Sequence, residues 1–248
     1  MRRVVVIALL LALPGVATAA DGKQVYGRYC VMCHGPNGVG NTNPDSVVGQ
    51  GPGRDTTIQP GIGPSLRNVG ALAADFYLRT GYMPLKRTGL QPRRSRLLLS
   101  NAQIEALIKY VASLGHGPPI PHPQPERGSL SEGQRLFASN CAGCHQIMAR
   151  GGYVTHAVPP PLGQATATEI AEAVRIGPYV MPRFSPKQIS NAQLNSLIRY
   201  VQWTQKPDDR GGLSLGRVGP VPEGLVTWFV GAAALVALCL VIGRRLHG

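Results

Sequence analysis

Cys30-Val31-Met32-Cys33-His34 and Cys141-Ala142-Gly143-Cys144-His145 are two copies of one pattern, Cys-x-x-Cys-His. Two thiols at this spacing lie on one helical turn. Both can add to the vinyl groups of a single haem, and the histidine that follows points its imidazole at the iron, so this is the c-type haem attachment signature. The two copies use four of the five cysteines. Cys-x-x-Cys also serves zinc sites and dithiol redox centres. A zinc ribbon needs the two pairs to converge and gives the following histidine no role. A thioredoxin-type motif belongs in an alternating strand–helix pattern, which this chain lacks. The spacing predicts two haem-bearing domains.

The motifs sit inside a longer internal repeat. Gly22 and Tyr26 precede Cys30 by the same intervals at which Gly133 and Phe137 precede Cys141. Further on, Ser100-Asn101-Ala102-Gln103 opens an apolar run ending in Leu107-Ile108-Lys109-Tyr110-Val111. It is matched by Ser190-Asn191-Ala192-Gln193 and Leu197-Ile198-Arg199-Tyr200-Val201. Both runs have helical spacing, and a serine stands where an N-cap belongs. The glycine of each first helix allows close approach of each last helix. Tyr26 with Tyr110, and Phe137 with Tyr200, are the expected ring contacts, with a packing role and no chemistry.

Each half therefore resembles a class I, mitochondrial-like cytochrome c domain, which implies an all-α fold of two tandem domains. Two further elements carry the resemblance: Gly63-Pro64-Ser65-Leu66 with its counterpart Pro159-Pro160-Pro161-Leu162, and Met83-Pro84 with Met181-Pro182. In the family a proline carbonyl at the first position accepts a hydrogen bond from the iron-ligating histidine, fixing its ring and tautomer. The resemblance assigns that part to Pro64 for His34 and to Pro160 for His145. It makes Met83 and Met181 the sixth iron ligands, and thioether ligation raises the potential and closes the iron to small molecules. Methionine more often fills core gaps. Of the other three, Met1 is the initiator, and Met32 and Met148 lie within or just after a haem motif. His116, His122, His156 and His247 read as surface residues.

The first half is longer. By offset of the repeats it carries about thirteen extra residues before its methionine and about eight after it. The first insertion, around residues 41–59, is rich in Gly, Pro, Asn and Asp and reads as a loop. The second contains Lys86, Arg87, Arg93, Arg94 and Arg96. It reads either as a solvated face or as a docking patch for an acidic partner or lipid headgroups.

The ends predict location. Arg2-Arg3, an apolar run from Val4 to Leu13, a Pro14-Gly15 break and Ala17-Thr18-Ala19 form a secretory signal peptide. Leu225 to Ile242 is an uncharged stretch long enough for a membrane helix. Trp228 and Phe229 lie in its first turn, and Arg244 and Arg245 follow it. The positive-inside rule places the haem domains outside and the tail in the cytoplasm. Cys239 lies within this helix as an apolar filler.

The expected organisation is a signal peptide at 1–19, a first cytochrome c domain at 20–115 and a Pro-rich, semi-rigid linker at 116–128. A second domain at 129–206, a membrane-entry linker at 207–222, a transmembrane helix at 223–243 and a tail at 244–248 complete it. The formal net charge is +13. An exported haem protein does not meet nucleic acid, so the charge points to membrane lipid or acidic proteins.

Two such domains followed by Gly211-Gly-Leu-Ser-Leu215 and a single terminal helix are similar to the dihaem cytochrome c subunit of the actinobacterial-type cytochrome bcc complex. The resemblance implies two covalent haems c, held by Cys30, Cys33, Cys141 and Cys144. The implied partners are cytochrome b, a Rieske iron–sulfur protein and a cytochrome c oxidase. The implied function is electron transfer from a menaquinol-oxidising complex to the oxidase, as part of a quinol–cytochrome c reductase and without an independent catalytic site. The residues also admit the cytochrome subunit of another periplasmic dehydrogenase or oxidase. A dihaem peroxidase is the reading from another class, and it needs one iron with an exchangeable position. With a Pro-rich linker between the domains, the first would reach outward to the oxidase while the second stays by the membrane.

Overall fold

The computed structural model describes residues 20–42, 62–85, 91–207 and 220–246. The signal-peptide reading, most of the 41–59 loop, Lys86, Arg87 and most of the membrane-entry linker lie outside the described residues. Among those described there is no strand, only two isolated antiparallel bridges, Asn41–Gly63 and Val154–Ala157. The chain forms two compact units, one ending at Gln205 and the other beginning at Lys206. The first unit contains both halves of the repeat.

The first half is built from α1 (Gly22–Tyr29), α2 (Val31–His34), α3 (Gly70–Arg79) and α4 (Asn101–Ala112). The second is built from α5 (Leu130–Asn140), α6 (Ala142–His145), α7 (Ala167–Ile176) and α8 (Asn191–Gln205). The repeated Ser-Asn-Ala-Gln explains why α4 and α8 start where they do. Ser100 Oγ accepts from the Gln103 backbone N–H, and Gln103 Oε1 accepts from the Ser100 N–H. Ser190 and Gln193 make the same reciprocal pair. Each box satisfies two backbone donors that a helix start leaves open.

In each half the first helix crosses the last at a glycine. A Cβ on Gly22 would fall onto the Ala106 carbonyl, and one on Gly133 onto the Ser196 carbonyl. The aromatic pairs flank these crossings with nearly equal geometry. The Tyr26 and Tyr110 rings are 5.2 Å apart at 51°, and those of Phe137 and Tyr200 are 5.4 Å apart at 51°. Around them, Met32, Ile104 and Leu107 form the first core, and Leu197, Ile198 and Val201 the second. Met32 is completely buried, so its role is packing.

The two halves are fastened together, which changes the reading of the proline-rich segment. Residues 115–128 lie along both halves. His116 N–H donates to Asn68 Oδ1 at 2.9 Å, Leu72 N–H to the Pro118 carbonyl at 3.1 Å, and Gln124 N–H to Asn195 Oδ1 at 2.9 Å. Gly70, at φ 74°, and Gly117 touch backbone to backbone, so neither position has room for a Cβ. The segment is a strap rather than a spacer. Helices α3 and α7 pack on each other across the seam. Gln91 adds a two-bond clamp: its Nε2 donates to the Val158 carbonyl at 2.8 Å and its Oε1 accepts from the Val158 N–H at 2.9 Å. The expectation of a first domain hanging free of the second is therefore corrected. Proline composition is the same in a strap and in a linker, and only the long-range contacts distinguish them.

The second unit carries α9 (Pro220–Leu246). Its stretch Gly224–Arg245 spans 22 residues at mean hydropathy 2.6, and none of that surface is buried within the protein. At about 1.5 Å per residue it reaches about 33 Å, enough for a bilayer's hydrocarbon core. The helix begins at Pro220, three residues before the expected boundary, because proline is accommodated in a first helical turn. Since both cores close before Lys206, truncation after Pro207 is expected to release a soluble chain that still binds haem in both halves. Absorbance per mole of the purified fragment checks this, and loss of haem from one half would contradict it.

Candidate haem sites

The first site is assembled from loop, turn and helix. Helix α1 ends at Cys30, whose N–H still bonds to the Tyr26 carbonyl, and the chain turns directly into α2. That one-residue break places Cys30, Cys33 and His34 on the wall of a single cleft. Pro64, Leu78, Met83 and Leu99 line the same cleft, which encloses about 730 Å³ including its open mouth. His34 is buried, and its Nδ1–H donates to the Pro64 carbonyl at 2.8 Å. The bond consumes Nδ1 and leaves the Nε2 lone pair as the ring's coordinating position. Gly63 makes this approach possible, because a Cβ there would strike the Cys33 carbonyl and crowd the imidazole.

The second site repeats the arrangement with other supports. Helix α5 ends at Cys141, and α6 carries Cys144 and His145. His145 is buried, and its Nδ1–H donates to the Pro160 carbonyl at 3.0 Å. Cys141 and Met181 both pack against the second core. Met181 sits in a turn closed by its own N–H on the Pro178 carbonyl, and Phe184 N–H returns to the Val174 carbonyl of α7.

The electrostatics suit an apolar, covalently attached group. Burial lowers the basicity of both imidazoles, which keeps them neutral. Burial, and then Cys33, push the Cys30 thiol up to about 12. Burial and Cys144 push Cys141 up to about 11. None of the cysteines is in a disulfide. Among the described residues no group of three or more His, Cys, Asp or Glu could hold a metal ion, so the two Cys-x-x-Cys pairs do not converge as a zinc ribbon requires. Two thiols, one imidazole with a free Nε2 and a thioether around an apolar cleft are the donor set that a c-type haem uses.

The fold and the comparisons agree. The description "Cytochrome c" matches residues 19–115. The description "Cytochrome C oxidase, cbb3-type, subunit III" matches residues 128–201. The cytochrome bc1 complex cytochrome c subunit of Mycobacterium leprae is 34% identical over 96% of this chain and 82% of its own length. That of Corynebacterium efficiens is 34% identical over 92% of this chain and 77% of its own length. The chain belongs to this family of cytochrome c subunits. A more distant relative, the cbb3-type cytochrome c oxidase subunit CcoP of Rhodobacter capsulatus, is 28% identical over 74% of this chain and 61% of its own length.

As a member of the cytochrome c subunit family, the chain is a membrane-anchored electron-transfer protein whose cytochrome c domains carry covalent haem. Several residues that support the sites escaped the sequence reading. Tyr26 Oη donates to the Gly35 carbonyl at 2.7 Å, and Tyr200 Oη to the Ile147 carbonyl at 2.8 Å. Each hydroxyl fixes the loop that leaves a haem motif, so these rings do more than pack. Arg94, within the basic segment, bonds its guanidinium to Glu169 across the seam at 2.9 Å. Arg93 and Arg96 are exposed. His156 is exposed, as expected.

Proposed function

We propose that this chain is the dihaem cytochrome c subunit of a menaquinol-oxidising cytochrome bcc complex, carrying electrons from its Rieske protein to a cytochrome c oxidase. The observation that carries the proposal is the duplication of one arrangement in one compact unit: a buried histidine tied to a proline carbonyl beside two cysteines, with a methionine on the loop after the third helix of each half. Bound haem would supply a one-electron couple at each site. Cys30 and Cys33, and Cys141 and Cys144, would hold it by thioether bonds. His34 and His145 would present Nε2 to the iron, with Pro64 and Pro160 fixing their orientation. Met83 and Met181 would close the opposite face, which suits an electron carrier and disfavours a peroxidase. Arg244 and Arg245 in the last turn of α9 support an orientation with the haem domains outside the membrane and the C-terminus in the cytoplasm, by the positive-inside rule. The relatives' name, cytochrome bc1 complex cytochrome c subunit, supports cytochrome b and Rieske partners in this reading.

Tagging the chain and purifying it in mild detergent tests the assembly. A cytochrome b and a Rieske protein are expected to co-purify. Recovery with a dehydrogenase, or with an oxidase core and no cytochrome b of the quinol-oxidising type, would contradict the proposal. The relationship to CcoP makes the oxidase-subunit outcome the specific competitor.

The first half delivers the electrons to the oxidase in this proposal, because it holds the exposed Arg93 and Arg96. Arg94 is engaged within the protein, so the test uses Arg93→Glu and Arg96→Glu. Oxidase-dependent turnover is expected to fall several-fold and to lose part of its dependence on salt, while reduction by quinol continues at its normal rate. Slower quinol-driven reduction would reverse the order, and unchanged rates would leave the segment a solvated face.

A further inference from the structure

The seam between the halves buries three carboxyl groups. Asp75 comes from α3, and Glu169 and Glu172 come from α7. Asp75 is 4% exposed, Glu169 7% and Glu172 0%. Two arginines answer two of them. Arg79 Nε bonds to Asp75 Oδ1 at 2.7 Å, and Arg94 bonds to Glu169 Oε2 at 2.9 Å. Glu169 Oε2 also accepts from the Thr166 N–H at 2.8 Å. Glu172 has no such partner. Neither of its oxygens meets a hydrogen-bond donor among the described residues, and the group against it is the Asp75 carboxylate.

A bare carboxylate buried without a donor costs several kcal/mol or more, and such a group takes up a proton instead. Two carboxylates side by side make no hydrogen bond unless one of them carries a proton. With one proton, three acids and two guanidinium groups are neutral as a set. The charged and titratable groups around Glu172 are Asp75 and Arg79 of α3 and Glu169 of its own helix, with Arg94 and Tyr82 beyond Glu169. Among the described residues Arg79 is the cation that acts on Glu172, and it is already bonded to Asp75.

We propose that Glu172 and Asp75 form a proton-binding site at the seam, and that closing the two halves on each other takes up one proton from solution. The proton resides on a Glu172 oxygen and is donated to Asp75, whose other interactions remain with Arg79. Burial, and then Asp75, push the Glu172 carboxyl up to about 9. In an opened seam it returns to its ordinary value of 4.5. Closing therefore binds a proton at any pH between these values. Closure is strongest in acid, weakens as pH rises through that window and levels off above it, where the closed form also loses its proton.

The test uses the full dihaem chain in detergent. Infrared spectra are expected to show a protonated carboxylic acid at pH 7 that vanishes in Glu172→Gln and in Asp75→Asn, whose amides supply the missing donor without a proton. The Val158 N–H, which bonds to Gln91 across the seam, reports opening through hydrogen exchange. The wild-type rate divided by the Glu172→Gln rate at the same pH is expected to rise about tenfold per pH unit between roughly 5 and 9. The Asp75→Asn protein is expected to follow Glu172→Gln. A ratio that stays flat across this range, or a wild-type spectrum without the extra acid band, would overturn the site. The infrared arm needs no variant to fold, because the wild-type band is followed through its own titration.

Discussion

Replacing Met83 or Met181 with alanine is expected to leave haem attached in both halves and to open one iron to carbon monoxide. Attachment depends on the cysteines, which lie at the α1–α2 and α5–α6 junctions, away from the loops that carry the methionines. Met83 lines the same cleft as Cys30, Cys33 and His34, on the loop that follows α3. In the proposed sites, removing the thioether would take away the ligand that raises the potential and closes the iron to small molecules. Each single variant should bind about one equivalent of carbon monoxide per chain and show a lowered potential for one haem, and the double variant about two equivalents, where the wild type binds none. Optical titration and redox potentiometry read both effects. A variant with unchanged spectrum and potential would reduce that methionine to a packing residue.

The second large effect concerns the helix crossings. Gly133→Val is expected to destabilise the second half by about 3 kcal/mol or more, because its Cβ would occupy the place of the Ser196 carbonyl and press on Tyr200. Backbone on both sides of the contact cannot step aside as a side chain would, so α5 and α8 must separate. That separation pulls Tyr200 Oη away from the Ile147 carbonyl and loosens the loop behind the haem motif. For a domain of this size the melting temperature should fall by roughly 15 °C. Gly22→Val is expected to act in the same way on the first half through Ala106 and Tyr110. By contrast Gly143→Ala meets nothing within 4 Å and should be silent. Calorimetry of the three proteins separates a packing requirement from a general effect of replacing glycine.

The local parts of this architecture are legible in the sequence because short-range physics encodes them. A glycine and an aromatic residue at fixed distances before Cys-x-x-Cys-His declare a helix crossing. Ser-Asn-Ala-Gln declares a helix start, and its glutamine completes a capping box that the serine alone only suggested. The proline carbonyls facing His34 and His145 follow from family resemblance, and the hydrogen bonds at 2.8 and 3.0 Å give them a physical basis. The seam was not legible. Arg94 looks like one member of a basic run, and nothing in its neighbours shows that Glu169 waits in the other half. The prolines of 115–128 suit a spacer as well as a strap. The sequence carries one local signal of the seam: Glu172 lies among Ile170, Ala171, Ala173 and Val174, an acid inside an apolar stretch of helix. A carboxyl in that setting needs a cation, a donor or a proton.

The central claim is that electrons from quinol enter this chain. Its most direct measurement is anaerobic addition of a reduced menaquinol analogue to membranes that contain the tagged chain, followed by the c-type haem absorbance of the chain after purification under the same atmosphere. Reduction of both haems is expected, together with its loss when the Rieske protein is absent. Haems that stay oxidised with quinol present, or that are reduced equally well without the Rieske protein, would contradict the account.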